Sequence, residues 1–200
     1  MLINDYDIEY LDESHTYLID GVQVPSVTQI LKVKFAKKYK FVKPAVLNRA
    51  AEEGTKVHKA IEDYCKTGKD DGSDELRNFK FLQRSYGFKV LGNEIPVILF
   101  RGSKPIAAGR FDLLLEKDGQ KGIADIKRTS VLDKEYLFYQ LNLYRMAYIQ
   151  SYGGEIDFLK GIHILPDKRK YVDIPINLDA AWEIVDEYFD IERLIERVVL

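Results

Sequence analysis

The sequence holds one cysteine, one tryptophan, two methionines and three histidines. With Cys65 alone, no disulfide can close within the chain, and no thiolate-only metal site or iron–sulfur cluster can be built in it. That usage fits a reducing compartment. No apolar run is long enough to span a bilayer, and the first ten residues, MLINDYDIEY, are too acidic for a secretory leader. A soluble, intracellular protein of the cytoplasm with no membrane partner is expected. A charge excess of one sign is also missing, since 30 Lys and Arg stand against 32 Asp and Glu, for a net charge of -2. Any nucleic-acid surface must therefore be local. There is no GxxxxGK[ST] loop, so no ATP-driven motor of that kind is present. Internal repeats and low-complexity tracts are absent as well.

What is there reads as one globular domain over 1–200, with 46% hydrophobic and 31% charged residues. Thr16–Ile19 and Val22–Val24 flank an Asp20-Gly21 hairpin turn, and Ser26 is placed to cap a short helix from Val27. Six lysines follow between Lys32 and Lys43, Lys37, Lys38 and Lys40 among them, interleaved with Phe35, Tyr39 and Phe41 and with no acid. Such a block is either a solvated helix face or a phosphate-tracking arm with aromatic stacking. Pro44 opens a helix expected to end near Glu53, where Gly54-Thr55 should break and recap it. The next helix, 56–66, carries Val57, Ile61 and Tyr64 on one stripe, with His58 and Glu62 four apart beside it. A lone histidine in that position is usually packed or exposed. Ser73 to Gly87 brackets another helix, and 88–100 reads as a strand in which Pro96 implies an edge or a bulge. Glu94, set in the apolar stretch NEIPVILF, lies either on a wet face or toward a site.

The stretch that organises the chain is GRFDLLLEKDGQKGIADIKRT, residues 109–129. Leu113–Leu115 and Ile123–Ile126 are apolar runs separated by the turn signal Asp118-Gly119. Alternation puts Asp125 and Lys127 on one face, and hairpin pairing brings Asp112 beside Asp125. The pair Asp125 and Lys127 alone fits an ordinary surface ion pair. Two carboxylates and an amine on an apolar scaffold are costly unless they bind something, and magnesium or manganese suits carboxylate oxygens. A long helix, 132–152, follows, with Gln140 and Tyr144 one turn apart. Core packing accounts for the tyrosine but not for Gln140. Two strands, 158–165 and 171–176, and a last helix from Ala180, capped by Asp179, complete an α/β (α+β) arrangement. Its centre is expected to be a mixed, largely antiparallel sheet flanked by helices.

GTxxH on a helix, GRFD on a strand, DIK on the next strand and QxxxY on the following helix occur in that order. Together they resemble the PD-(D/E)XK nuclease superfamily, in its RecB-like branch with small phage and mitochondrial exonucleases. The resemblance covers 54–176, with 1–53 as an N-terminal hairpin and basic segment and 177–200 as a C-terminal helix. PSVTQIL near the N-terminus also resembles small phage members. It implies a restriction-endonuclease-like core and a metal-dependent deoxyribonuclease, more an exonuclease on ends or single strands than an endonuclease. By resemblance, His58, Asp112, Asp125 and the carbonyl of Ile126 would hold Mg2+ or Mn2+. Lys127 would position or deprotonate the attacking water, and Gln140 with Tyr144 would contact DNA. Glu94 resembles an acid on the preceding strand of some members, and Glu62 would support His58. The implied partners are DNA and phage or host recombination or replication proteins. Phe111 stands where the name-giving proline would be, and the four cysteines of the cluster-bearing subgroup are missing. A like-charged metal would press the Lys127 pKa down, whereas the carboxylates would keep it charged. The alternative from another class is a non-catalytic nucleic-acid-binding or protein-interaction module that retains the fold.

Overall fold

In the computed structural model the described residues are 1–11, 16–39 and 43–199. Lys40 and Phe41, two members of the basic block, lie outside them. The chain begins with β1 (Leu2–Ile3), β2 (Tyr6–Leu11), β3 (Thr16–Ile19) and β4 (Val22–Val24), an antiparallel sheet in sequential order. Asp20 and Gly21, both at positive φ, make the β3–β4 turn where the sequence predicts it. Ser26 then opens α1 (Val27–Phe35) with a reciprocal capping box to Gln29. A 3-10 turn over Ala36–Tyr39 follows.

The next helix departs from expectation. Gly54-Thr55 does not break it: α2 runs unbroken over Pro44–Thr67. Thr55 Oγ1 donates to the Ala51 carbonyl one turn back, so it joins the helix instead of capping a new one. Burial of Val57 and Ile61 outweighs the roughly 1 kcal/mol that an interior glycine costs. α3 (Asp74–Tyr86) has the expected ends, with Ser73 capping Leu76 N–H and Gly87 in the left-handed region.

Five strands form the main sheet in sequential order: β5 (Lys89–Arg101), β6 (Lys104–Lys117), β7 (Gln120–Lys127), β8 (Phe158–Leu165) and β9 (Lys168–Ile174). Every pair is antiparallel except β7–β8, which is parallel because α4 (Lys134–Tyr152) crosses over between them. α5 (Leu178–Val199) closes the chain; Asn177 Oδ1 accepts from Ala180 N–H, so Asn177 is the cap rather than Asp179. Phe111, Ile123, Leu137 and Leu141 belong to the core under α1, α4 and α5. Leu113, Ala124, Ile126, Ile61 and Phe79 fill the other side, under α2 and α3. The small sheet packs on Ile98, Phe100 and Ala108. This is an α+β fold with a central mixed, largely antiparallel sheet flanked by helices.

Pro96 sits on an edge strand, as predicted, and α4 seals that edge. Ser151 Oγ accepts from Ile98 N–H at 2.8 Å and donates to its carbonyl at 3.0 Å. The Gln150 amide does the same for Phe100, and Tyr152 OH donates to the Pro96 carbonyl. Side chains thus take the place of a sixth strand. Among the described residues no helix is long and apolar enough to cross a membrane.

Candidate active site

The registers around the β5–β6–β7 pairs put Glu94, Asp112 and Asp125 in one row across three strands. The side-chain alternation changes phase at this row. Phe111 faces α4, whereas Leu113, two residues on, faces α2 and α3. Their partners Ile95 and Asn93 flank Glu94, whose φ of 52° is left-handed, a conformation that costs a non-glycine residue in mid-strand. The kink turns the acids into a cleft instead of into either core.

α2 brings His58 to the same place. Val57 and Ile61 anchor the helix, and the neighbouring imidazole reaches over the sheet. Its Nε2 is 3.0 Å from the Ile126 carbonyl, and its Nδ1 is 3.5 Å from Asp112 Oδ1. Ile126 N–H donates to Asp112 Oδ2 at 2.6 Å. Burial alone would push the imidazole down, but the charge and hydrogen bond of Asp112, with help from Asp125, bring it up to about 9. Burial likewise would raise Asp112, yet the His58 charge outweighs it and holds that carboxyl below its ordinary value. Burial, then the charge of Asp112, pushes Glu94 up.

His58, Glu94 and Asp112 each offer a donor atom, all within 4.8 Å of one another. One imidazole nitrogen and two carboxylate oxygens are the donor set of Mn2+ or Mg2+, and the strained Glu94 backbone aims its oxygen there. The residues fit such an ion. Asp125 is not part of this convergence. Its Oδ2 lies 2.7 Å from Lys127 Nζ, off the hydrogen-bonding direction, with the side chain fully buried. Burial and the charge of Asp112 push Asp125 up to about 6, against the opposing pull of Lys127. Burial would lower Lys127, but Asp125 and Asp112 carry it above its ordinary value. Asp125 and Asp112 thus favour the ammonium form of this amine. The Ile126 carbonyl, expected as a ligand, faces His58 Nε2.

Gln140 and Tyr144 are brought to the same side by α4, both buried. Gln140 hydrogen-bonds the Tyr144 hydroxyl, while its Oε1 has no partner. Burial, with the nearby Asp125, pushes the phenol well up. α4 comes this close because position 109 is glycine: a Cβ there would stand 2.8 Å from Tyr144 Cε1 and 3.1 Å from Val27 Cγ2.

The basic block is placed differently from a free arm. Lys38 Nζ pairs with Asp133 at 2.9 Å and Glu135 at 3.3 Å, and Lys34 donates to Tyr139 OH at 2.9 Å. Lys37 is exposed. Glu62 pairs with Lys66 and Lys59 rather than with His58. Three residues that sequence reasoning did not assign border the cleft: Arg110, whose Nε is 2.7 Å from Glu94 Oε2, and Tyr10 and Tyr17 from the small sheet. Arg110 had a local signal, its period-two spacing from Asp112; the tyrosines had none, because the sheets meet only in the folded chain. Arg128 pairs with Glu53 and Glu75, tying α2 and α3 to the end of β7.

No protein-family model and no curated protein matches the chain. Among solved structures it is similar to the one titled "Crystal structure of SSO0001", at 15% identity and a TM-score of 0.48, over 84% of this chain and 76% of that one.

Proposed function

We propose that the protein is a divalent-metal-dependent nuclease that hydrolyses DNA phosphodiester bonds, acting as an exonuclease on ends or single strands. The observation that carries this reading is the convergence of His58, Glu94 and Asp112 to within 4.8 Å, beside the buried Asp125–Lys127 pair. His58, Glu94 and Asp112 would hold Mg2+ or Mn2+. Such an ion, when bound, supplies a nucleophilic water at neutral pH and offsets charge developing on the phosphate. The chain's own groups do the rest. Asp125 keeps the Lys127 ammonium charged and in place, so that it donates to a phosphate oxygen, an interaction that strengthens as negative charge builds there. Gln140 Oε1 and the Tyr144 hydroxyl offer a buried polar pair for orienting the nucleotide. The setting that fits is the cytoplasm, with DNA as substrate and phage or host recombination or replication proteins as partners.

The test is a cleavage assay on labelled single-stranded, blunt-ended and circular DNA with magnesium, manganese or chelator. Metal-dependent loss of the linear substrates with circles intact is expected. Cleaved circles would retire the exonuclease reading, and intact substrates under every metal would retire the nuclease.

A further inference from the structure

Each acid on the floor of the cleft is already held by a group of the chain itself. Arg110 Nε lies 2.7 Å from Glu94 Oε2. Asp112 Oδ2 accepts from Ile126 N–H at 2.6 Å, and Asp125 Oδ2 lies 2.7 Å from Lys127 Nζ. The two cations thus bracket the row of carboxylates, Arg110 on β6 beside Glu94 and Lys127 on β7 beside Asp125. Arg110 also lies over the Tyr10 ring, 5.3 Å from its centroid, which seats the guanidinium against one wall of the cleft.

We propose that Arg110 stands in for a second metal ion: the cleft takes one divalent cation, on His58, Glu94 and Asp112, and the guanidinium beside it supplies the other positive charge at the phosphate. The role at the phosphate rests on the nuclease reading; the number of ions does not. Two ions that act together sit about 3.5–4 Å apart and share a carboxylate that gives an oxygen to each. Here Glu94 Oε2 faces the guanidinium, Asp125 Oδ2 faces the ammonium, and Asp112 Oδ2 is taken by the backbone. Charge leads to the same count. The three carboxylates against Arg110 and Lys127 leave one negative charge when His58 is a neutral ligand, while Lys59 and Lys66 on α2 are paired with Glu62 and Asp63. One divalent ion turns this into a single positive charge, which one phosphodiester offsets. A second ion would leave three positive charges against that one phosphate. Binding of the ion also unmasks Arg110. Once Glu94 shares its charge with a divalent ion, the guanidinium is no longer neutralised by it. The side chain is 44% exposed, and its planar fork matches phosphate oxygens. Arg110 is therefore offered to the phosphate only after the ion is in place.

Mn2+ alone tests the count without nucleic acid. Calorimetric titration of the full chain should find one ion per chain, and electron paramagnetic resonance at saturation should show the resolved hyperfine lines of an isolated Mn2+. Two ions per chain, or the exchange-coupled spectrum of a close pair, would overturn the proposal. Arg110→Gln should bind Mn2+ about tenfold more tightly, because a positive charge beside the ion is removed. Arg110→Lys keeps the charge and should stay within about twofold of the wild type. A merely structural brace on Glu94 gives the opposite sign, so weaker or unchanged Mn2+ binding in a folded Arg110→Gln would overturn the stand-in. Thermal melting checks the fold of each variant; if Arg110→Gln does not fold, the stoichiometry and spectrum of the wild type decide. With labelled single-stranded DNA and saturating Mn2+, Arg110→Gln should lose at least about tenfold in kcat, and an unchanged kcat would remove Arg110 from the phosphate. The two readings fail separately. One isolated ion with the charge effect, but no cleavage by the wild type, would leave the one-ion site standing and remove the nuclease; a coupled ion pair with metal-dependent cleavage would do the reverse.

Discussion

Glu94 carries its carboxylate on a left-handed backbone in the middle of a strand, and it is this strain that lets an acid meet His58 and Asp112. Asp112 is the hinge of the group, since it accepts from Ile126 N–H and faces the imidazole at once. Asp112→Asn preserves the first interaction and removes the charge. The protein should therefore stay folded, with cleavage down at least about a hundredfold, because several kcal/mol of charge stabilisation depend on that carboxylate. A cleavage assay beside a thermal melt checks both halves. His58 gives a second prediction. Its folded value near 9 lies above the ordinary 6.5, so its pairing adds stability below pH 6.5 that is lost as pH rises through 9. Metal binding must expel that proton. Calorimetry in buffers of different ionisation enthalpy should find about one proton released at pH 7.5, and metal affinity should climb about tenfold per pH unit toward 9. His58→Ala should remove both effects.

At the scale of elements, α2 shows where a local signal misleads. Gly54 does not end the helix, has no positive φ, and has nothing within 4 Å of where a Cβ would stand. Gly54→Ala should thus stabilise the protein by about 0.5–1 kcal/mol, read as a rise in melting temperature; a loss would mean that the helix is broken there. Position 109 should behave oppositely, since a methyl group would drive Tyr144 and Val27 apart, and Gly109→Ala should cost about 1–3 kcal/mol. Much of the element order was legible because hairpin turns, caps and apolar periodicity are local. Asp118-Gly119, Ser26, Ser73 and the edge position of Pro96 all carry such signals. The phase change at Glu94 and Asp112 was not legible, because strict alternation is the default reading of any strand. β1 and β2 were missed because only Ile3 and Ile8 are buried in them. The convergence of His58 with Asp112 is legible only through motif order, since the 53 residues between them say nothing of distance. Asp125, a ligand by facing and by the motif resemblance, has its Oδ2 2.7 Å from Lys127 Nζ.

At the scale of the molecule, a net charge of -2 means that attraction to a polyanion depends on which lysines are already spent. Lys38 is spent on Asp133 and Glu135, and Lys34 on Tyr139 and Glu135, in a strut between the α1 end and the α4 start. The strut is exposed, so it adds only about 0.2–1 kcal/mol per pair to stability. Its larger consequence is for binding. The double variant Asp133→Asn, Glu135→Gln removes both acids while keeping an N-cap, because Asn accepts from Tyr136 N–H as Asp does. Lys38 thereby loses both ion-pair partners and Lys34 keeps only the Tyr139 hydroxyl, at the start of the helix whose Tyr136 ring lies 5.6 Å from Lys127 Nζ. If this face meets DNA, the variant should bind single strands more tightly at low salt, and its salt slope should steepen by about 0.7 for each new phosphate contact. Lys38→Met should leave the wild-type slope nearly unchanged, since that charge is neutralised internally. Anisotropy titrations at several salt concentrations distinguish the outcomes. A slope unmoved in the double variant would turn this face of the protein away from the nucleic acid, and a slope flattened by Lys38→Met would mean that DNA breaks the strut on binding.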